Sequence, residues 1–496
     1  MKTKRLREQI IERREEQVIR AQIINQIINL LYRVTAIYIV MLVILVNGVG
    51  FLWSGLFNPQ SFTLKNGLQV VVLENHRADV VFHSIWYKIG AADDPCGKSG
   101  LAHYLEHLMF KGPAGSASAR YQEEVTRIGG KYNAATGSDT THYYTMVATE
   151  YLEKVVALEA ARMRALTVID SQAKTELGVI LEERNMRLEN SPIGRFLEIL
   201  NARFLYNHPY RLPNIGWEHE IRGFTPVDVR SFYKKWYAPN NAIAIFAGDI
   251  TLAKAKALAE KYYGGIPAKS LPPRRRLQEP PHRETIERIA LEAEEIQVPY
   301  LLRLYQAPHF KMDNGKHTYA MQVLQYILEI DPWGLLYKPL VEEQKIATFV
   351  EVMHTVYTLD PTILFIMVQP AEGHTLLEVE EAINAQLTQI LEQGIPLEAI
   401  ERAKRQMIAR AVFAHDSVFG GADDFGKKMA LGIPITEIDN WIEYIKAVTP
   451  EEVNASARFV FGKNHHLTAH LLPKITIGKK GQPVKRAGGR SVKGEH

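Results

Sequence analysis

The chain is almost devoid of cysteine. Cys96 is the single one among 496 residues, so neither an internal disulfide nor a cysteine-based zinc site can form. A lone cysteine is tolerated in any compartment, so it does not locate the protein, and nothing around Cys96 marks it as a nucleophile. Excess charge of one sign is also scarce. Lys and Arg total 59 against 55 Asp and Glu, a net charge of +4, which does not suggest a nucleic-acid binder. The run Gly420-Gly421-Ala422-Asp423-Asp424-Phe425-Gly426 lacks a following Gly-Lys-Ser/Thr. It therefore reads as a flexible loop and not as a phosphate cradle. What remains is ordinary globular composition, 46% hydrophobic and 23% charged. The chain is too long for one core, so two or more domains are expected.

One long stretch lacks charge altogether. Val34 to Trp53 spans 20 residues, mostly aliphatic and aromatic, a length that suits a bilayer-spanning helix. The flank before it carries Lys2, Lys4, Arg5, Arg7, Arg13, Arg14, Arg20 and Arg33. The positive-inside rule keeps residues 1–33 cytoplasmic and exports the rest. A buried core helix and a cleaved signal peptide are the rival readings. The long flank and the lack of an Ala-x-Ala site favour an uncleaved anchor. Apolar positions at Ile10, Ile11, Val18, Ile23, Ile24, Ile27, Ile28 and Leu31 suit an amphipathic helix on the membrane face or a short coiled coil.

The chemistry concentrates in His103-Tyr104-Leu105-Glu106-His107. Residues four apart share a helix face, so the two imidazoles can grip one metal ion. Glu106 beside them can handle the proton of an activated water. This is the His-Glu-x-x-His zinc pattern in reverse order, the inverzincin form. The plain alternative is two surface histidines next to a capping glutamate. Context opposes it: Gly97-Lys98-Ser99-Gly100 is a plausible helix start with Ser99 able to cap, and Leu101, Ala102, Leu105, Leu108, Met109 and Phe110 form an apolar stripe. Unpaired imidazoles in such a half-buried helix would be costly. A catalytic zinc needs three protein ligands, and one turn supplies two. A second helix is readable from Thr175 to Arg187, with a break at Asn190-Ser191-Pro192. Glu176 and Glu183 share nearly one face of it, two turns apart. Locally it reads as a solvated face with pairs such as Glu183 and Arg187.

Many further residues follow one known pattern: Asn66-Gly67-Leu68, Gly90-Ala91, Gly97 to His103, Leu108-Met109-Phe110-Lys111-Gly112, Asn133-Ala134, Thr136, Thr141, Tyr143-Tyr144, His208-Pro209-Tyr210, Ile215-Gly216, Tyr237, Pro239 to Ala242, and Gly248. Together they make residues 62–248 resemble the amino-terminal half of a pitrilysin-like (insulinase) zinc metallopeptidase, the small bacterial type related to mitochondrial processing peptidase. The resemblance implies an α+β fold. Two homologous α/β-sandwich halves, each an antiparallel-rich sheet packed with helices, close as a clamshell, here preceded by the membrane helix. It places the third zinc ligand about 76 residues past the second histidine, where Glu183 stands, and an accessory glutamate on Glu176. It implies a zinc-dependent endopeptidase of peptides or unfolded polypeptides. His103, His107 and Glu183 would hold Zn2+, and Glu106 would serve as general base and then acid. Glu176 would orient a ligand, or be an ordinary helix-surface carboxylate. The stretch Thr140 to Val147, rich in strand formers, would be the edge strand that receives an extended peptide. Asn133 and Ala134 just before it would help place that peptide, although a turn residue before a strand is an equally plain role for Asn133.

The expected organisation is a basic amphipathic segment 1–33, the membrane helix 34–53, a zinc-bearing domain 58–266, a stiff exposed linker 267–284 rich in proline and arginine, a second peptidase-like domain 285–473, and a disordered basic tail 474–496. The location this implies is a bacterial inner membrane with both domains on the periplasmic side. The second half departs from the family pattern. Relatives carry an arginine and a tyrosine where this chain has Val341 and Thr348. The loss removes donors aimed at developing negative charge, each often worth about 3 kcal/mol. A homologous subunit, in a homo- or heterodimer, is the expected supplier of the missing pair. The competing readings are a non-catalytic assembly or scaffold subunit and a membrane-tethered peptide-binding protein.

Overall fold

The computed structural model describes Gly55 and residues 57–474, apart from 281–283, 331, 415, 416 and 464. The basic segment 1–33, the charge-free run 34–53 and the tail from 475 onward lie outside the described residues. Among the described residues no helix is long and apolar enough to cross a membrane. The longest, Leu376–Gln393 and Leu397–Ala414 at 18 residues each, bury one face and carry acidic or basic side chains on the other. The expectation of a fold that includes a membrane-spanning helix is therefore corrected. The membrane as a partner and the inner-membrane location accordingly have no membrane-crossing helix behind them among the described residues. The described chain consists of two sheet-and-helix domains that form a clamshell.

The first sheet comprises β1 (Gln60–Thr63), β2 (Gln69–Glu74), β3 (Val80–Tyr87), β4 (Lys131–Thr136), β5 (Thr141–Ala148) and β6 (Ala242–Gly248), in the order β1-β2-β6-β3-β5-β4. The second comprises β7 (Ile286–Ala293), β8 (Tyr300–Ala307), β9 (Ala347–Met353), β10 (Thr362–Pro370) and β11 (His466–Pro473), in the order β7-β11-β8-β10-β9. Apart from β1, the two orders are the same. Each sheet has one parallel pair in the same place, β2 with β6 and β7 with β11. The other neighbours are antiparallel. β6 reads Ala-Ile-Ala-Ile-Phe-Ala-Gly and is buried throughout, as a strand covered on both faces requires. β4 alternates between exposed and half-buried positions. It is an edge strand, pairing with β5 alone among the described strands, so the stretch 140–147 expected at the edge is instead an inner strand between β3 and β4.

Four helices shape the metal centre and the contact between the domains: α1 (Leu101–Leu108), α2 (Asp170–Arg184), α3 (Pro192–Phe204) and α4 (Val418–Ala430). The domains exchange cover. α3 buries Phe196, Leu200 and Phe204 against Leu302, Leu304, Leu467 and Leu471 of the second sheet. α4 does the same in the other direction, with Ala422 and Phe425 on Val71, Phe82, Trp86, Ile243 and Ile245 of the first. The glycine-rich run 420–426 is thus part of a helix, not a flexible loop. Gly426 serves close approach, since a Cβ there would stand 2.0 Å from Trp86 Nε1. The segment after Ile266 has no regular structure as far as Pro280, yet it is not a free spacer. The Arg276 side chain is 5% exposed and binds Asp93 and Asp139 of the first domain and Asp360 of the second.

Candidate metal centre

The start of α1 is fastened by a carboxylate. Asp94 Oδ2 accepts from the N–H groups of Gly100 and Leu101 at 2.7 and 3.1 Å, and Oδ1 from Ala102 at 2.8 Å. These are donors that a helix start otherwise leaves unpaired. Ser99, the expected cap, instead accepts from the Trp217 N–H at 2.9 Å. Gly100 has φ +90°, and a Cβ there would lie 2.3 Å from the Ile215 carbonyl oxygen. The loop therefore packs backbone to backbone on Ile215-Gly216. This seats α1 so that His103 and Glu106 are buried and His107 is half-buried.

α2 crosses beside α1 and is tied to it twice. Tyr104 Oη donates to the Ala173 carbonyl at 2.6 Å, and Gln172 Nε2 donates to the Gly112 carbonyl at 3.1 Å. Glu176 and Glu183 consequently face the histidines. His107 Nδ1 meets Glu176 Oε1 at 2.9 Å. His107 Nε2 and His103 Nε2 lie 3.2 and 3.6 Å from Glu183 Oε2. The other Glu183 oxygen is taken by Arg187 at 2.7 Å, in the π-helical turn Asn185–Glu189 that continues α2. Such turns often mark functional sites.

The donor set fits a zinc ion. One ligand atom each from His103, His107 and Glu183 fall within 4.8 Å of one another. Bonds of about 2.0–2.1 Å in a tetrahedron place ligand atoms about 3.3 Å apart, close to the separations from Glu183 Oε2. That oxygen is buried and makes no hydrogen bond among the described residues, although two imidazole nitrogens face it. Two imidazoles and a carboxylate are the nitrogen and oxygen donors of catalytic zinc sites.

The electrostatics suit a cation. Burial, then the neighbouring His107, push His103 down to about 4, so its imidazole is neutral at pH 7. Burial also opposes charge on His107, but Glu176 and Glu183 outweigh it and hold that ring at about 9. Glu183 is pulled below the usual carboxylate range by His107. For Glu176 burial acts upward, but His107 and Lys111 bring it below that range. Glu106 is raised by burial, against the pull of its hydrogen bond from Thr136. Thr136 Oγ1 donates to Glu106 Oε2 at 2.5 Å.

Of the residues singled out in the sequence, His103, Glu106, His107, Glu176 and Glu183 come together. Asn133 and Ala134 sit on the exposed edge of β4, which ends at Thr136 beside Glu106. At about 3.3 Å per residue, Ala134 is roughly 7 Å and Asn133 roughly 10 Å along the strand from Thr136. Val341 packs against the core of the second domain, and Thr348 Oγ1 donates to Gln369 Oε1 at 3.2 Å. Sequence reasoning gave no role to Asp94, Lys111 or Thr136. Lys111 stands past the end of α1 at Leu108, so helical spacing from His107 does not reach it. For Asp94 the partners lie across a loop and for Thr136 in helix α1, and no spacing rule reaches them.

Comparison with known proteins places this geometry. Residues 69–214 match the family model described as insulinase (peptidase family M16), and residues 223–407 match the one described as peptidase M16 inactive domain. The chain is 31% identical over 295 residues to the zinc protease PqqE of Helicobacter pylori, a match spanning 58% of this chain and 65% of that protein, just under two thirds. It is 25% identical over 407 residues to the uncharacterized zinc protease YmxG of Bacillus subtilis, covering 82% of this chain and 96% of the other. The crystal structure of a protease from Helicobacter pylori superposes with a TM-score of 0.76 at 25% identity, over 84% of this chain and 99% of that one. The first half of the periplasmic protease PqqL from Escherichia coli gives 0.72 at 20% identity, over 84% and 92% of the two chains, a likeness of fold alone.

Proposed function

Because the chain belongs to the insulinase (M16) family of zinc metallopeptidases, we propose that it is a zinc-dependent endopeptidase acting on peptides or unfolded polypeptides. The observation that carries this reading is the convergence of three ligand atoms within 4.8 Å beside a buried carboxylate that is itself held by a hydroxyl. His103, His107 and Glu183 hold the metal. When bound, zinc supplies Lewis acidity, which polarises a carbonyl and makes water acidic near neutral pH. Glu106 takes the proton of the attacking water and later gives it to the leaving amine. Its raised pKa suits a group that must both accept and return a proton. Glu176 receives the Nδ1 proton of His107 in a hydrogen bond and so directs Nε2 to the metal. Asn133 and Ala134 present the free edge of β4, where an extended backbone adds as a further strand.

A homologous subunit completes the site in this proposal. It supplies the arginine and tyrosine for which Val341 and Thr348 stand in this chain. One observation favours a second reading, a non-catalytic assembly subunit: residues 223–407 match a domain described as inactive. Metal analysis and peptide turnover separate the two. An endopeptidase holds one zinc per chain, loses it on His103→Ala, and loses turnover but not zinc on Glu106→Gln. Metal-free wild-type protein with unchanged folding would leave the assembly reading in place. Full activity of the purified chain alone would remove the need for a partner.

A further inference from the structure

The two histidines are not held alike. Among the described residues His103 Nδ1 is buried with no hydrogen-bond partner, whereas His107 Nδ1 has Glu176 Oε1 at 2.9 Å. Glu176 is 5% exposed. Its second oxygen has one partner, Lys111 Nζ at 3.0 Å. Lys111 is rooted just past α1, where its N–H bonds the Leu108 carbonyl at 3.0 Å. The next residue, Gly112, is tied to α2 through Gln172 at 3.1 Å. The ammonium is thus delivered to Glu176 by the same crossing that brings α2 to the histidines. An exposed ion pair contributes little. Here, however, one partner is a buried carboxylate, and losing its cation leaves an oxygen unpaired in a low-dielectric setting.

Resting on the metal-site reading above, we propose that Lys111 is a positioning residue for the zinc ligand His107, acting through Glu176. Lys111 keeps the Glu176 carboxylate in the rotamer that receives Nδ1–H. That bond fixes the ring's tautomer and aims Nε2 toward His103 and Glu183. Because His103 lacks an equivalent partner among the described residues, this relay is the handle by which the surroundings orient the imidazole pair. Lys111 touches neither metal nor substrate, so its effect falls on metal retention and not on the proton transfer at Glu106.

The test is zinc affinity of the whole chain, measured by competition with a chromogenic chelator at pH 7.5, with circular dichroism of the metal-free protein as the folding control. Lys111→Met weakens zinc binding by about 10- to 100-fold, the usual effect of removing a group behind a ligand. Lys111→Arg, which keeps the charge, restores affinity to within about threefold of wild type by the same logic. In a Glu176→Gln background the Lys111→Met change has no further effect. Unchanged affinity in Lys111→Met overturns the inference, and so does a loss that persists undiminished once Glu176 is Gln. Should the Met variant be unfolded, Lys111→Gln takes its place with the same two outcomes. Failure of the wild-type chain to bind zinc at all would instead strike the metal-site reading.

Discussion

Thr136 and Glu106 show how much a single hydroxyl can decide. The 2.5 Å hydrogen bond holds one oxygen of the buried carboxylate proposed as the general base. Thr136→Val preserves shape and removes the donor. The expected outcome is a kcat lowered by about 10- to 100-fold, since a hydrogen bond to a charged group is worth about 1.5–3 kcal/mol. KM and zinc content stay near wild type, and Thr136→Ser restores most of the rate. Steady-state kinetics with parallel metal analysis check this, and an unchanged kcat in the Val variant would refute it. At this scale the sequence was partly legible. His103, Glu106 and His107 are local, within one helical turn, and spacing alone brings them together. Glu183 could be reached only through family resemblance, because its register depends on how α2 crosses α1. Thr136, Lys111 and Asp94 act through contacts that no local pattern encodes.

The helix α4 carries the clearest lesson at the level of elements. Three glycines within seven residues argue for a loop, because glycine costs about 1 kcal/mol relative to alanine in a helix interior. The helix forms nonetheless, because burial of Ala422 and Phe425 against the first sheet outweighs that penalty. Gly426→Ala sharpens the point. Propensity favours the change, yet the added methyl would stand 2.0 Å from the Trp86 indole nitrogen. Trp86 cannot easily yield, since it is 2% exposed and stacked at 3.9 Å on His142. Overpacking of this kind costs about 1–3 kcal/mol, so the variant is expected to be less stable than wild type in urea titration. A variant of equal or greater stability would mean that α4 can shift off the sheet without loss.

Across the whole molecule, buried histidines set the response to acid. Burial holds His83, His142 and His354 at about 4, below the ordinary value of 6.5. His83 is the clearest of them, with Nδ1 on the Ile245 carbonyl and Nε2 on the Tyr263 hydroxyl. Above pH 6.5 each ring is neutral whether folded or not. Between 6.5 and 4 the unfolded chain takes up protons that the folded chain refuses, so stability falls as pH falls. By pH 5 the term for His83 alone is about 2 kcal/mol. Melting temperatures measured from pH 7.5 to 5 should decline, and His83→Gln should flatten the decline even though it lowers stability at pH 7.5. An equal slope in the variant would contradict this origin. The domains themselves are joined by more than a linker. Arg276 sits among Asp93, Asp139 and Asp360, and α3 and α4 exchange sheets.

By itself the sequence determined that two histidines and a carboxylate share one turn of α1 and that there are two large pieces, because these follow from short-range periodicity, composition and length. Only the tertiary structure decided which oxygen of Glu183 faces the imidazoles, that Lys111 stands behind Glu176, and that each sheet is roofed by the other domain's helix. Those outcomes depend on how surfaces far apart in the chain fit together, and close packing resolves that fit only when all of them are present at once.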